Sequence, residues 1–171
     1  RKFVEEAPVV GEYQNHIVLV GIHRTGYSIL QTLVKSGAEF VAVDFDPVLV
    51  RSLRNKNLPV VYGDIADEEI QEVINLDKAK AVISTVPDDK DNQIILNAVK
   101  EVNKRAKIIL TANDREQAAR FYKNGASYVI QPHFIGGWEL AQALGHKNDF
   151  SGLIKLQERD AKVLDLRSLG K

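Results

Sequence analysis

Six short apolar runs, each followed by a stretch whose apolar residues recur at helical spacing, limit this chain more than any other feature. The runs are HIVLV (His16–Val20), FVAVD (Phe40–Asp44), PVVY (Pro59–Tyr62), AVISTV (Ala81–Val86), KIIL (Lys107–Leu110) and SYVIQ (Ser127–Gln131). Apolar runs without polar alternation suit strands buried on both faces of a parallel sheet. The intervening stretches read as helices. Arg24–Ser36 carries Ile29, Leu30, Leu33 and Val34 on one face, and Gly37 ends it. Asp46-Pro47 is an N-cap followed by a first-turn proline. Acidic Asp67-Glu68-Glu69 precedes a stripe of Ile70, Val73 and Ile74. Ile94, Ile95, Ala98, Val99 and Val102 mark a longer helix. A capping box over Asn113–Glu116 opens a helix that runs to Lys123 and stops at Gly125, and Phe134–Leu144 closes the series. Such alternation through short connections predicts an α/β fold, a parallel six-stranded sheet with helices on both faces. Right-handed crossovers then favour the doubly wound strand order 3-2-1-4-5-6.

This pattern occupies residues 16–147. Residues 1–15 show no period and contain Pro8 and Gly11, so they read as a linker from a preceding, membrane-associated region. The chain starts at Arg1 and contains no methionine, which favours a piece of something longer. Residues 148–171 mix charge and leucine without a clear period and read as an appendage that packs on a partner or frays. Lys and Arg number 23, as do Asp and Glu, so charge offers no footprint for nucleic acid. Cysteine is absent, which excludes a disulfide framework, a thiolate metal site and a cysteine nucleophile. No apolar run reaches the ~20 residues of a membrane-spanning helix.

The chemistry points to the first strand–helix turn. VLVGIHRTGYSIL places Gly21, Ile22, His23, Arg24, Thr25 and Gly26 between a strand and a helix, where a Rossmann dinucleotide fingerprint has G-x-G-x-x-G. Gly21 permits the turn, Gly26 lets helix and strand approach, and the helix N-terminus offers N–H groups to a phosphate. Arg24 could add a cation. His23 stands where the fingerprint has its middle glycine, the position at which bare backbone meets a pyrophosphate. The imidazole narrows that space, so a mononucleotide such as AMP or ADP is expected to compete well with NAD. Asp44 ends the second strand at the offset of a ribose-binding acid, with Phe45 and Asp46 beside it. An acid there accepts from a 2′-hydroxyl and repels a 2′-phosphate, which disfavours NADP. Gly63, Asp64 and Ile65 follow the third strand, where an adenine would lie. Thr85, Val86 and Pro87 end the fourth strand beside the switch point of the sheet. A glycine-bearing turn that binds nothing, a helix-capping Asp44 and an ordinary Gly-Asp turn are the competing readings of the same residues.

Catalytic signatures are missing. No tyrosine precedes a lysine by four places, and there is no G-x-S-x-G elbow and no G-x-x-x-x-G-K-[ST] loop. No histidine–carboxylate grouping has metal-ligand spacing. The expectation is a binding module, not an enzyme, with no catalytic residues and no metal.

Four stretches together, VLVGIHRTGYSIL, VAVDFDPVLVRSL, PVVYGDIADEEIQEVINLDKAKAVISTVPDDKDN and ASYVIQPHFIGGWELAQAL, resemble the RCK family (regulator of conductance of potassium), also called the TrkA N-terminal domain. The resemblance runs from about His16 to Leu144, and G-x-H-R-x-G is closest to the cytosolic domains of Kef-like monovalent cation/proton antiporters. It implies a regulatory domain on the cytoplasmic side of the cell membrane that controls K+ or Na+ transport. It also implies an adenine nucleotide ligand (NAD(H), AMP, ADP or ATP), a membrane transporter domain as partner, and pairing into homodimers or larger rings. Kef members also take glutathione with a loop arginine matched by Arg24. Their second arginine is not matched here, where Thr111–Asp114 stands. Trp138, Leu140 and Leu144 in the last predicted helix supply apolar surface for the dimer. Two alternatives stay open: a small NAD-dependent oxidoreductase or methyltransferase of the same fold, and an unattached regulatory subunit.

Overall fold

The computed structural model describes residues 13–144 and 151–163, with side chains to 160. Six strands, β1 (Ile17–Val20), β2 (Phe40–Asp44), β3 (Val60–Tyr62), β4 (Ala81–Ser84), β5 (Lys107–Thr111) and β6 (Tyr128–Ile130), form one sheet in the order β3-β2-β1-β4-β5-β6. Every pairing is parallel. This is the doubly wound order predicted from the alternation, and the fold is Rossmann-like. The chain divides into two compact units after Ile130. The first holds the sheet with α1 (Thr25–Ser36), α2 (Pro47–Arg54), α3 (Glu68–Val73), α4 (Asp89–Val102) and α5 (Arg115–Lys123). The second holds α6 (Pro132–Leu144) and α7 (Ser151–Val163), joined by an ion pair of Glu139 with Arg159.

The strands read as continuous apolar runs because both faces of the sheet are covered. Val18, Val20, Val41, Val43 and Val82 face a core completed by Ile95, Leu96, Val99 and Phe121. Leu19, Phe40, Ala42 and Val60 face the opposite core, with Leu30, Leu33, Val50 and Leu53. In register, Val20 pairs with Val43 on one side and Ser84 on the other, so β1, β2 and β4 end level with one another. The order reverses at β1, and a crevice opens there between the diverging crossovers.

Several local expectations shift. The buried face of α4 is Asn92, Ile95, Leu96 and Val99, an i, i+3, i+4, i+7 set, and Ile94 and Val102 are exposed. Val34 likewise lies outside the buried face of α1, which is Gly26, Leu30 and Leu33. The cap of α5 is one residue later than predicted. Asp114 Oδ1 accepts from the Gln117 N–H, and Gln117 Oε1 takes the Asn113 N–H. Residues 151–163 form a helix where the sequence shows no clear period. Of the predicted linker, residues 1–12 lie outside the described residues, and so do 145–150 and 164–171 of the closing segments. Tyr13 is half-buried against the core, its ring centroid 5.4 Å from that of His16.

Candidate functional site

The β1–α1 turn is held in a fixed shape by short contacts. Gly21 has φ +81°, and its N–H donates to the Val43 carbonyl at 3.0 Å. A Cβ at Gly26 would lie 2.1 Å from the Gly21 oxygen and 2.7 Å from Thr85 Oγ1, so only glycine lets α1 start this close to β1. Thr85 donates its hydroxyl to the Gly21 carbonyl at 2.9 Å, which pins the turn to the end of β4. Gly26 donates to His23 O, and Tyr27 to Arg24 O. Among the described residues the N–H groups of His23, Arg24 and Thr25 donate to nothing, the expected state of an anion-receiving helix start. Arg24 caps α1 at φ 46°, ψ −109°, a conformation that favours glycine and costs an L-residue roughly 1–3 kcal/mol.

Asp44 is buried, and both its oxygens are engaged. Oδ2 accepts from the Ile22 N–H at 2.7 Å and Oδ1 from the Asp46 N–H at 2.8 Å. The carboxylate therefore joins the β1–α1 and β2–α2 turns, and the remaining lone pairs are what it can offer a hydroxyl. Asp46 caps α2 as predicted, accepting from Val48 and Leu49. His23 Nε2 lies 3.6 Å from Asp46 Oδ2 and 3.9 Å from Asp44 Oδ1. The imidazole thus sits on the carboxylate side of the turn.

These residues border a cleft of about 260 Å³ at the carboxyl ends of the strands. That is just below the range of about 300–1,000 Å³ for small-molecule sites and suits one nucleoside better than a dinucleotide. Of the sequence-predicted residues, Gly21, His23, Asp44, Phe45, Gly63, Asp64, Ile65, Thr85, Val86 and Pro87 line it. Ile22, Arg24, Thr25, Gly26 and Asp46 do not. Ile22 is core, Gly26 is the helix contact, and Arg24 and Thr25 border a shallow groove along α1 with Ser28 and Thr32. Asp64 Oδ1 closes a turn onto the Ala66 N–H at 2.8 Å. The α4 residues Asp91, Ile94 and Ile95 complete the lining, and sequence reasoning missed them. A signal for them exists: Ile94, 50% exposed, is an apolar residue off the buried face of α4.

The lining is apolar through Val20, Val43, Phe45, Val86, Ile94 and Ile95, and its charges are the carboxylates Asp44, Asp64 and Asp91. No lysine or arginine among the described residues lines it. A phosphate here would rely on the free N–H groups of the turn, with an apolar face for a flat ring and carboxylates for hydroxyl or amino donors. Among the described residues no group of histidines and acids could hold a metal ion, and no helix is long and apolar enough to cross a membrane.

The model of the TrkA-N domain family matches residues 17–132. Potassium channel protein 1 of Methanocaldococcus jannaschii is 29% identical over 135 residues, covering 78% of this chain and 40% of the channel. The putative cation/proton antiporter YbaL of Escherichia coli is 28% identical over 140 residues, 82% of this chain and 24% of the antiporter. The chain thus spans two fifths or less of these relatives' length. The crystal structure of the TrkA-N domain of YbaL superposes with a TM-score of 0.75 at 26% identity, covering 78% of this chain and 99% of that one. The Kef C-terminal domain of Shewanella denitrificans in its AMP-bound form gives a TM-score of 0.67 at 20% identity, covering 91% of this chain and 99% of that one. The GsuK channel bound to NAD gives 0.63 at 21%, covering 70% of this chain and 22% of the channel. At these last two identities the likeness is one of fold.

Proposed function

Because this chain belongs to the TrkA-N domain family, we propose that it is the nucleotide-sensing module of a monovalent cation transport protein, a K+ or Na+/proton antiporter of the Kef kind. It binds an adenine nucleotide on the cytoplasmic side of the membrane and passes the bound state to a transporter domain without turning the ligand over. The observation that carries the reading is the pairing of this cleft with the turn that borders it: Asp44 and His23 line the cleft, and the His23, Arg24 and Thr25 N–H groups at the start of α1 have no acceptor among the described residues. The phosphate sits on the N–H groups of His23, Arg24 and Thr25, where the helix dipole favours an anion. Asp44 accepts from the ribose, and its charge disfavours a 2′-phosphate. The adenine lies against Val86 and Ile94, with Asp64 within the same lining to accept from its amino group. AMP-bound and NAD-bound proteins of the same fold support the ligand class. Small volume and His23 favour a mononucleotide such as AMP or ADP over NAD.

Pairing of two copies rests on α6, which has no buried residue and exposes Phe134, Ile135, Trp138 and Leu140. Apolar surface of that extent calls for a partner, and light scattering would return twice 19.1 kDa. A mass near one chain at every concentration contradicts it. Nucleotide binding is tested by thermal denaturation with AMP, ADP, ATP, NAD and NADP. A ligand at ~100 times its Kd adds about 2.7 kcal/mol, which for this length raises Tm by about 5–10 °C. AMP or ADP is expected to do so and NADP not. No shift with any of the panel removes the proposal.

A further inference from the structure

The β4–α4 turn supplies the wall of the cleft made by Val86 and Pro87, and it lies against the phosphate-facing turn. A Cβ placed on Gly21 would lie 3.5 Å from the Val86 N and 3.0 Å from Thr85 Oγ1. Little of the sheet ladder holds this wall. Pro87 has no N–H, and the Val86 N–H reaches only Ser84 Oγ, at 3.4 Å. What fixes it is a set of side chains that take its carbonyl oxygens from outside the cleft. Thr111 Oγ1 donates to Ser84 O at 2.9 Å. Asn92 Nδ2 donates to Val86 O at 2.7 Å and to Asp88 O at 2.8 Å, and lies 3.2 Å from Thr111 O. Asn113 Nδ2 donates to Pro87 O at 2.8 Å.

Asn92 is fully buried, and its Oδ1 has no partner among the described residues. Three carbonyls on one nitrogen leave only one sensible amide orientation, since the flipped amide would set oxygen against oxygen. A buried polar atom left unpaired is a cost, tolerated here while the donor side of the same amide holds two carbonyls of the wall.

We infer that Asn92, Thr111 and Asn113 are positioning residues of the cleft, which keep the carbonyl oxygens of Ser84, Val86, Pro87 and Asp88 turned away from a bound phosphate. The inference rests on the nucleotide reading above. The cleft already carries Asp44, Asp64 and Asp91 and, among the described residues, no lysine or arginine. Peptide planes freed to rotate would bring the negative ends of their dipoles toward an anion that only N–H groups attract. Asn113 is the informative member because it is exposed and acts on Pro87 from the surface, so its loss leaves the core intact.

The test is calorimetric titration of the full chain with AMP and with adenosine, alongside thermal denaturation without ligand. Asn113→Ala is expected to leave the unliganded Tm within about 2 °C, as for most surface changes. It is expected to weaken AMP about three- to tenfold, the effect of one net hydrogen bond, and adenosine by clearly less. Arg120→Ala breaks the surface pair of Arg120 with Asp89 on the same side of α4 and is expected to leave both affinities unchanged. Asn92→Ala should be harsher in every readout, and if it does not fold Asn113→Ala carries the test. The inference is overturned if Asn113→Ala binds AMP as the unaltered chain does, or if AMP and adenosine weaken equally. An unaltered chain that binds neither overturns the nucleotide reading beneath it.

Discussion

Two buried asparagines stand at the two ends of α4, and they are finished differently. Asn103, at the amino ends of the strands, uses everything it has. Its amide donates to Leu76 O and Ala79 O, and its oxygen accepts from the Arg105 and Ala106 N–H groups. Asn92, at the carboxyl ends, saturates its donors and leaves its oxygen unpaired among the described residues. The surroundings repeat the contrast. At the amino ends His16 is shut in, its Nε2 bonded to the Ile74 carbonyl at 2.8 Å, and although its Nδ1 is unpaired among the described residues, like the Asn92 oxygen, no cleft opens beside it. At the carboxyl ends Phe45, Val48, Tyr62 and Ile94 stay exposed, and the N–H groups of His23, Arg24 and Thr25 find no acceptor among the described residues. A parallel sheet brings all its strand ends of one kind to one side, so one side can be closed for stability while the other is left open for a ligand.

The largest expected effect that would break this comparison is at Gly26. A Cβ there meets backbone oxygen at 2.1 Å, so Gly26→Ala should cost about 3 kcal/mol or more and abolish nucleotide binding with it. Denaturant unfolding that shows a change below about 1 kcal/mol would mean that α1 shifts freely. Next, Asn103→Ala takes a donor from the Ala79 carbonyl and acceptors from two N–H groups, while Leu76 O keeps the Ala79 N–H, and should cost about 2–4 kcal/mol. If the comparison holds, the folded fraction should keep its nucleotide affinity; a weakened affinity would mean that the two ends are not separable.

Much of the first unit was legible in the sequence. Runs such as FVAVD could be read as strands because burial on both faces removes the need for alternation. Gly21 and Gly26 could be read because their positions forbid a Cβ or favour positive φ. The polar joints could not. Asn92 and Asn103 look like ordinary helix-end asparagines until the strands beside them are in place, since Asn103 donates to Leu76 and Ala79, 27 and 24 residues away, and Asn92 reaches Thr111, 19 residues away, besides its near neighbours Val86 and Asp88. The cleft face of α4 was hidden for another reason. Ile94 and Ile95 are adjacent, so either can begin an apolar stripe, and only packing decides that Ile95 is core as well as cleft lining while Ile94 is exposed over the cleft. Arg24 reads in the sequence as a cation for the ligand, but its backbone conformation turns it to the outer groove of α1.

A smaller effect sharpens the closed end. Burial holds the His16 imidazole below its ordinary pKa, partly opposed by its bond to Ile74 and by Glu39 and Asp77. The folded chain therefore keeps His16 neutral in a range where the unfolded chain binds a proton. Stability is complete above about pH 6.5 and falls as pH drops below it, by at most ~1.4 kcal/mol per pH unit. His16→Gln should flatten the curve between about pH 6.5 and 5, and an unchanged curve would mean that the ring is not shut in. Tyr13, raised by burial, contributes the mirror case, with stability lost as pH rises past about 10.

The smallest effect is at the open end. His23→Gly restores the middle glycine of the fingerprint and frees the space beside Asp44 and Asp46. The ratio of NAD to AMP affinity should rise about three- to fivefold, on the order of 1 kcal/mol. Calorimetry that finds the ratio unchanged would show that the imidazole does not discriminate between them.

The central claim is that the open end, and not the closed one, receives a nucleotide phosphate and ribose. Amide NMR of the 15N-labelled chain during AMP titration addresses it residue by residue. The account expects the largest shifts at His23, Arg24 and Thr25, followed by Asp44–Asp46 and Gly63–Ile65, with His16, Asn75 and Asn103 unmoved and the Asp44→Ala chain nearly silent. Shifts centred on His16 and Asn103, or a spectrum that does not move at saturating AMP, would contradict it.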